Sequence, residues 1–395
     1  MYEYNYLIIG GGMTADAAVR GIRALDPGGL IGLIGKESDP PYDRPPLSKK
    51  LWQGKPVDQI WRKTEDLDVR LHLGRSAVAL NLDTRTVSDD QGDQYRFVKL
   101  LLATGGSPRR LPFGGDHILY FRTVDDYRRL RTLSDTKRRF AVIGGGFIGS
   151  EIAAALALNG KDVAMIFPEA SIGARVYPED LSLSLNQFYT DKGVEIFAGY
   201  SITAMDRQQD RLLLHLRAGK GATERSIEVD GVVAGIGIDP DTKLAEDAGL
   251  PVDGGIVVDE QLRAGHPAVY AAGDVARFWN PILQQSVRFE HEDNALAMGE
   301  RAGRNMAGES GTYDRLPFFY SDLFELGYEA VGLLDSRLET VADWVQPFRA
   351  GVVYYLHEDR VRGVLLWNTW DRAESARALM SEKGPVNRSD LIGRL

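Results

Sequence analysis

The sequence predicts an α/β protein with two Rossmann-like dinucleotide-binding domains and a C-terminal α+β domain. Three observations carry this. A glycine-rich turn occurs twice, at Gly10-Gly11-Gly12 and Gly144-Gly145-Gly146, each between an apolar run and a helix-forming stretch. Each repeat closes on a second apolar run ending in an acid, Glu37 and Glu169. From about Leu316 the pattern changes to paired strands and one late helix.

Taken in order, Tyr4 to Ile9 is an apolar run too short for a helix and stopped by glycine, so it reads as a buried parallel strand. Met13 to Leu25 sets Ala17, Ala18, Ile22 and Leu25 at helical spacing, with Asp26-Pro27-Gly28-Gly29 as the stop. Leu30 to Ile34 completes a βαβ unit. Val78 to Val87, turning at Asp89-Asp90-Gln91-Gly92, reads as a hairpin or crossover meander, and Leu100 to Leu102 as a buried strand entering the turn Ala103-Thr104-Gly105. The second βαβ unit runs from strand Phe140 to Ile143, through a helix from Phe147 to Leu158 closed by Asn159-Gly160, to strand Val163 to Phe167. Leu212 to Leu216 and Ile227 to Val229 suggest another hairpin, and Val269 to Ala271 a strand before Gly273-Asp274. Gly351 to Leu356 and Val361 to Trp367 flank Glu358-Asp359 as a last hairpin, followed by a helix from Arg372. The expected division is 1–112, 113–231, 232–315 and 316–395, the first and third segments forming one domain.

Bulk properties narrow the function. A chain of 395 residues exceeds one ordinary core. Its formal charge of −9 disfavours nucleic acid as a partner. Short basic clusters at Arg128, Arg129 and Arg131 and at Lys137 to Arg139 read as solvated helix faces or, less favoured, as a docking patch. Cysteine is absent, which removes a redox disulfide, a thiolate nucleophile and a cysteine-held iron–sulfur cluster. Six scattered histidines suggest no metal site. No apolar stretch reaches membrane-spanning length, and the early first strand leaves no room for a signal peptide, so the expected location is cytoplasmic.

The doubled motif has a defined chemistry. Gly10 permits the tight turn, Gly12 lets backbone approach a diphosphate, and Ala15 lets helix pack on strand, while the helix N-terminus offers amide hydrogens to the anion. Glu37 is placed to accept hydrogen bonds from a ribose diol. Gly144, Gly146, Gly149 and Glu169 repeat these roles. A carboxylate at Glu169 repels a 2′-phosphate, which favours NADH over NADPH, although Arg175 nearby is a residue type that serves NADPH. Two such sites imply two dinucleotides brought together.

Further motifs carry a family likeness. Pro41-Tyr42-Asp43-Arg44-Pro45-Pro46-Leu47-Ser48-Lys49, Ala103-Thr104-Gly105 and Gly273-Asp274 resemble the flavin-binding segments of ferredoxin-reductase-type flavoproteins of the glutathione-reductase-like fold. Phe147, the Phe167-Pro168-Glu169 triplet, Glu290-His291 and Phe319-Tyr320-Ser321-Asp322-Leu323 look most like apoptosis-inducing factor and its microbial relatives. The chain departs from the mammalian protein in having Tyr320 in place of tryptophan and no long C-terminal insertion, so a death-signalling role is not carried over. The resemblance implies FAD on the first unit, contacted by Gly10, Gly12, Glu37, Arg44, Lys49, Val78, Ala103, Thr104, Gly105, Arg109, Asp274, His291 and Tyr320. It implies NADH on the second, lined by Gly146, Phe147, Ile148, Glu151, Glu169, Gly237 and Glu290.

Within that likeness Lys49 supplies positive charge near flavin N5 and Glu151, expected on the first turn of the second helix, orients it; the bland reading makes both solvated surface charges. Phe147 is either a lid over the flavin or a core aromatic behind the glycine turn. His291 either senses flavin charge or is satisfied by a neighbouring carboxylate. Trp344, Trp367 and Trp370 read as core rather than an electron path. The expected activity is hydride transfer from NADH to FAD, with electrons passed to ferredoxin, rubredoxin, quinone or oxygen. The alternative is an NADH sensor holding a stable charge-transfer complex that controls homodimerisation or partner binding.

Overall fold

The computed structural model describes residues 1–219, 223–382 and 384–395. The chain forms two compact units, one of residues 1–43, 56–107 and 239–319, the other of residues 44–55, 108–238 and 320–395.

The first unit is built on a sheet ordered 263–266, 269–271, 94–102, 2–9, 31–35, 69–73. Strand Tyr2–Ile9 pairs in parallel with Ile31–Gly35 on one side and Gln94–Leu102 on the other, with Ile9 opposite both Ile34 and Leu102. Successive connections therefore leave the first strand in opposite directions, which opens a crevice at the strand C-termini where Gly10 lies. Leu7, Ile8, Leu100, Leu101 and Leu102 are fully buried, as the apolar runs predict. The helix after the glycines spans Met13–Arg23, two residues shorter than expected, because the chain turns at Ala24 and Leu25 is exposed. It crosses the Glu292–Met306 helix so closely that a Cβ at Gly299 or Gly303 would lie 2.4 Å from the Thr14 carbonyl or 2.1 Å from the Ala18 carbonyl. Ala77–Asn81, Thr86–Asp89 and Gln94–Leu102 form the expected antiparallel meander.

The second unit repeats the plan with a parallel sheet ordered 194–198, 162–167, 139–143, 231–234, 118–120. Its helix Phe147–Leu158 has the bounds read from the sequence. The turn of the expected 212–229 hairpin includes residues outside the described set, but its strands pair as Leu214 opposite Ile227. Helix Val124–Thr136 carries Arg128 on an exposed face, ion-paired to Asp125 at 2.7 Å, so that cluster is a solvated helix surface; a Thr123–Asp126 capping box starts the helix. The C-terminal segment of this unit is a five-stranded sheet, ordered 318–323, 326–332, 360–367, 350–357, 339–346, backed by helix Ala373–Ser381. Trp367 is fully buried there, whereas Trp370 is 46% exposed and Trp344 only partly covered. The reading of three core tryptophans is thus corrected: Trp370 lies past the end of its strand, where the face alternation that buries Trp367 has stopped.

Candidate functional site

Each unit carries a glycine turn whose backbone leaves no choice of residue. Gly10 has φ +121°, and a Cβ there would sit 2.1 Å from the Ala103 carbonyl oxygen; Gly144 has φ +105° and the equivalent Cβ would sit 2.4 Å from the Gly235 oxygen. The next-but-one glycines behave differently. Gly12 and Gly146 are N-caps with extended backbone and no side-chain cap, and a Cβ at either meets nothing within 4 Å. Each helix therefore begins at a glycine with open space before it, which is what a diphosphate requires. The residues fit the two dinucleotides that the motifs imply.

In the first unit three predicted elements meet at the crevice. Gly10 abuts Ala103 and Thr104, and the Gly273–Asp274 turn approaches Thr14, where a Cβ on Gly273 would lie 2.3 Å from the hydroxyl. Ala15 is fully buried and Gly105 takes a positive φ of 66°. Glu37 follows strand Ile31–Gly35 and accepts a hydrogen bond from Tyr42 Oη at 2.5 Å. Val78 lies on strand Ala77–Asn81 and is 55% exposed. His291 stacks on Phe319 with ring centroids 4.0 Å apart and planes within 7°. Burial lowers its pKa to about 4, against an opposing pull from Asp274 and Asp293, so the ring is neutral at pH 7. Asp274 and Asp293 are the carboxylates that act on the ring. Glu290 is ion-paired with Arg288 at 2.8 Å in this unit.

In the second unit a cleft of about 380 Å³ is lined by Gly144, Gly146, Phe147, Ile148, Glu169 and Gly237, together with Arg109, whose amide donates to the Gly237 carbonyl. Gly149 lies behind it, where a Cβ would meet the Gly144 oxygen at 2.0 Å. Phe147 is 36% exposed, so it is not a core aromatic. Arg175 does not stand alone as a phosphate receptor: its guanidinium donates to Glu169 at 2.6 Å. The loop carrying both is tied to the C-terminal sheet, since Tyr355 Oη donates to the Val176 carbonyl and Tyr177 packs edge-on against Tyr328 and Trp367.

Beside this cleft, in the same unit, lies a buried ion pair. Lys49 Nζ donates to Glu151 Oε1 at 2.6 Å, with side-chain exposures of 8% and 3%, which overturns the reading of two solvated charges. Glu151 sits on the second turn of its helix rather than the first. Two serines complete it: Ser321 Oγ donates to Oε1 at 2.6 Å and Ser48 Oγ to Oε2 at 2.5 Å. Sequence reasoning missed both, and only the adjacency of Ser48 to Lys49 could have pointed to one. Tyr320 holds its ring 5.2 Å from Lys49 Nζ, and Arg44 donates to the Arg122 carbonyl at 2.9 Å. Burial raises the Tyr177, Tyr189 and Tyr328 phenols well above their ordinary pKa, with the Glu151 charge adding to it, so they are neutral surroundings for the pair.

Comparison with known proteins matches residues 4–299 to the description "Pyridine nucleotide-disulphide oxidoreductase" and residues 302–349 and 345–382 to "Apoptosis-inducing factor, mitochondrion-associated, C-term". The chain is 33% identical to apoptosis-inducing factor 1, mitochondrial, of Dictyostelium discoideum, over 97% of this chain and 79% of that one. It is 30% identical to putidaredoxin reductase of Pseudomonas putida, over 98% and 94%. Among solved structures, the reductase in a covalent putidaredoxin reductase–putidaredoxin complex superimposes with a TM-score of 0.91 at 28% identity, covering 99% of this chain and 96% of that one.

Proposed function

The chain belongs to the pyridine nucleotide-disulphide oxidoreductase family, and from that premise we propose an FAD-dependent NADH oxidoreductase of the ferredoxin-reductase type, delivering electrons to a ferredoxin-type carrier. The observation that carries this reading is the pairing of two dinucleotide-type turns with a buried Lys49–Glu151 ion pair in a chain without cysteine. A dithiol relay has no residues to run on, so electrons must leave the flavin directly. FAD, when bound, accepts hydride from NADH and releases electrons singly.

The protein's own residues bind, orient and compensate charge. By the family likeness, Gly10, Gly12, Ala15, Glu37, Arg44, Val78, Ala103, Thr104, Gly105, Arg109, Asp274, His291 and Tyr320 are proposed for FAD. Gly144, Gly146, Phe147, Ile148, Gly149, Glu169, Gly237 and Glu290 are proposed for NADH. Glu169 accepts the ribose diol, which favours NADH over NADPH. Lys49 offers compensating positive charge to the reduced flavin, and Glu151 holds it in place. Phe147, being partly exposed in the cleft, is placed to yield to the nicotinamide. Ferredoxin leads rubredoxin, quinone and oxygen as the acceptor because relatives named for ferredoxin and putidaredoxin reduction align over most of the chain. A cytoplasmic location is proposed. No helix among the described residues is long and apolar enough to cross a membrane.

The test is anaerobic titration of the yellow protein with NADH, followed by a ferredoxin and then air. Bleaching with prompt reoxidation by the ferredoxin supports the oxidoreductase. A long-wavelength band that neither removes, accompanied by NADH-dependent dimerisation, supports the sensor reading, which the C-terminal match at residues 302–382 favours.

A further inference from the structure

A cavity of about 30 Å³ adjoins Lys49, Ser48 and Glu151, the three buried polar groups of the ion-pair cluster. Its other lining residues include Gln53 and Leu158, both exposed, and the polar side chains of Asn159 and Asp322. It therefore runs from the protein surface to the carboxylate of Glu151. Its size suits a water molecule, and its wall offers the hydrogen-bond partners that a water needs.

This placement matters if the chain serves one-electron carriers, the reading on which the inference rests. Hydride brings two electrons and a proton, whereas such a carrier takes an electron alone. The balance is NADH plus two oxidised carriers giving NAD⁺, H⁺ and two reduced carriers, so each turnover must discharge one proton to solvent.

We propose that the Lys49–Glu151 pair and the cavity beside it form the outlet for that proton. Lys49 Nζ passes a proton to Glu151 across their 2.6 Å hydrogen bond and takes its replacement from the reduced cofactor as that gives up electrons, ending unchanged. Glu151 gives a proton up to water in the cavity, and that water exchanges with solvent past Gln53. Ser48 and Ser321 are positioning residues: their hydroxyls hold one carboxylate oxygen each and keep the group aligned between lysine and cavity.

The experiment closes the cavity without touching the ion pair or the NADH cleft. Gln53→Trp covers the mouth from an exposed position, where folding is insensitive, and Ala155→Leu fills the interior. NADH-reduced holoenzyme is mixed anaerobically with ferricyanide and a pH indicator dye, so that electron loss and proton appearance are timed separately. A second readout, independent of turnover, is the water-exchange rate of the Lys49 ammonium protons by ¹⁵N NMR in the resting holoenzyme, assigned by Lys49→Arg. The expected result is proton release that keeps pace with electron loss in the wild type and lags about tenfold in both variants, with slowed ammonium exchange and unchanged reduction by NADH. Proton release and ammonium exchange at wild-type rates in both variants would overturn the outlet. A wild-type protein that gives ferricyanide no electrons would overturn the oxidoreductase reading, and the outlet with it.

Discussion

Glu169 and Arg175 close on each other at 2.6 Å on the wall of the second-unit cleft, the arginine 80% exposed and the glutamate 27%. The acid that would receive a ribose diol and the cation that would receive a 2′-phosphate are thus partners. While they are paired, a phosphate must both displace the carboxylate and face its repulsion. Glu169→Ala removes the diol acceptor and releases Arg175. The expected outcome is a KM for NADH raised about 10- to 100-fold, the worth of a charged hydrogen bond, with a smaller or opposite change for NADPH. Steady-state kinetics with both nucleotides check it, and an unchanged ratio would remove Glu169 from the diol.

Gly10 and Gly12, two residues apart, should fail in different ways. Gly10→Ala forces a Cβ against the Ala103 carbonyl at a φ of +121°, so it should lower thermal stability sharply. Gly12→Val meets open space at a φ of −96°, so it should fold normally yet purify colourless, because its side chain occupies the room left for a diphosphate. Melting temperature and the flavin absorbance band of each variant separate the two effects.

Lys49→Ala leaves a buried carboxylate with two serine hydroxyls and no counter-ion. Breaking a buried pair costs about 3–5 kcal/mol, and the remaining donors should hold the loss to the lower end. The same variant should slow flavin reduction in stopped flow, whereas Ser321→Ala should slow it less and leave the KM for NADH intact. Equal reduction rates in all three proteins would make the cluster purely structural.

His291 gives a pH signature. Its pKa falls from an ordinary value near 6.5 to about 4 on folding, so between these limits the unfolded chain takes up the proton first. The contribution is complete above about pH 6.5 and is lost as the pH drops toward 4, the loss amounting to about 2 kcal/mol by pH 5. Urea denaturation near neutrality and near pH 5, in the wild type and in His291→Gln, should show that the variant lacks this part of the acid sensitivity.

Both βαβ units were legible because glycine turns between apolar runs leave few foldings, and the bounds of helix Phe147–Leu158 came directly from that pattern. The Lys49–Glu151 pair was legible only through family likeness, since residues 102 apart give no periodic signal. Ser321 lies in the Phe319–Leu323 segment that carries the family likeness, but nothing in the sequence marked it as a donor to Glu151, 170 residues away. Arg175 was legible as a phosphate receptor but not as a partner of Glu169, because a loop's path decides which neighbour a long side chain meets. Trp370 was misread because composition marks it as core while its position beyond a strand end exposes it.

The interleaving of segments 1–43, 56–107 and 239–319 with 44–55, 108–238 and 320–395 sets an order of events on the ribosome. The parallel sheet drawn from 108–238 can assemble while the rest of the chain is still being made, for it needs no later strand, whereas the cleft wall at Val176 and Tyr177 is fixed only once the C-terminal sheet arrives. The first unit must wait, because its strand Val269–Ala271 and its closing helix Glu292–Met306 emerge after that block. Serine 321, the last donor to Glu151, is synthesised later still. The nascent protein thus acquires the strands around its second glycine turn early and its fully bonded lysine–glutamate pair near the end.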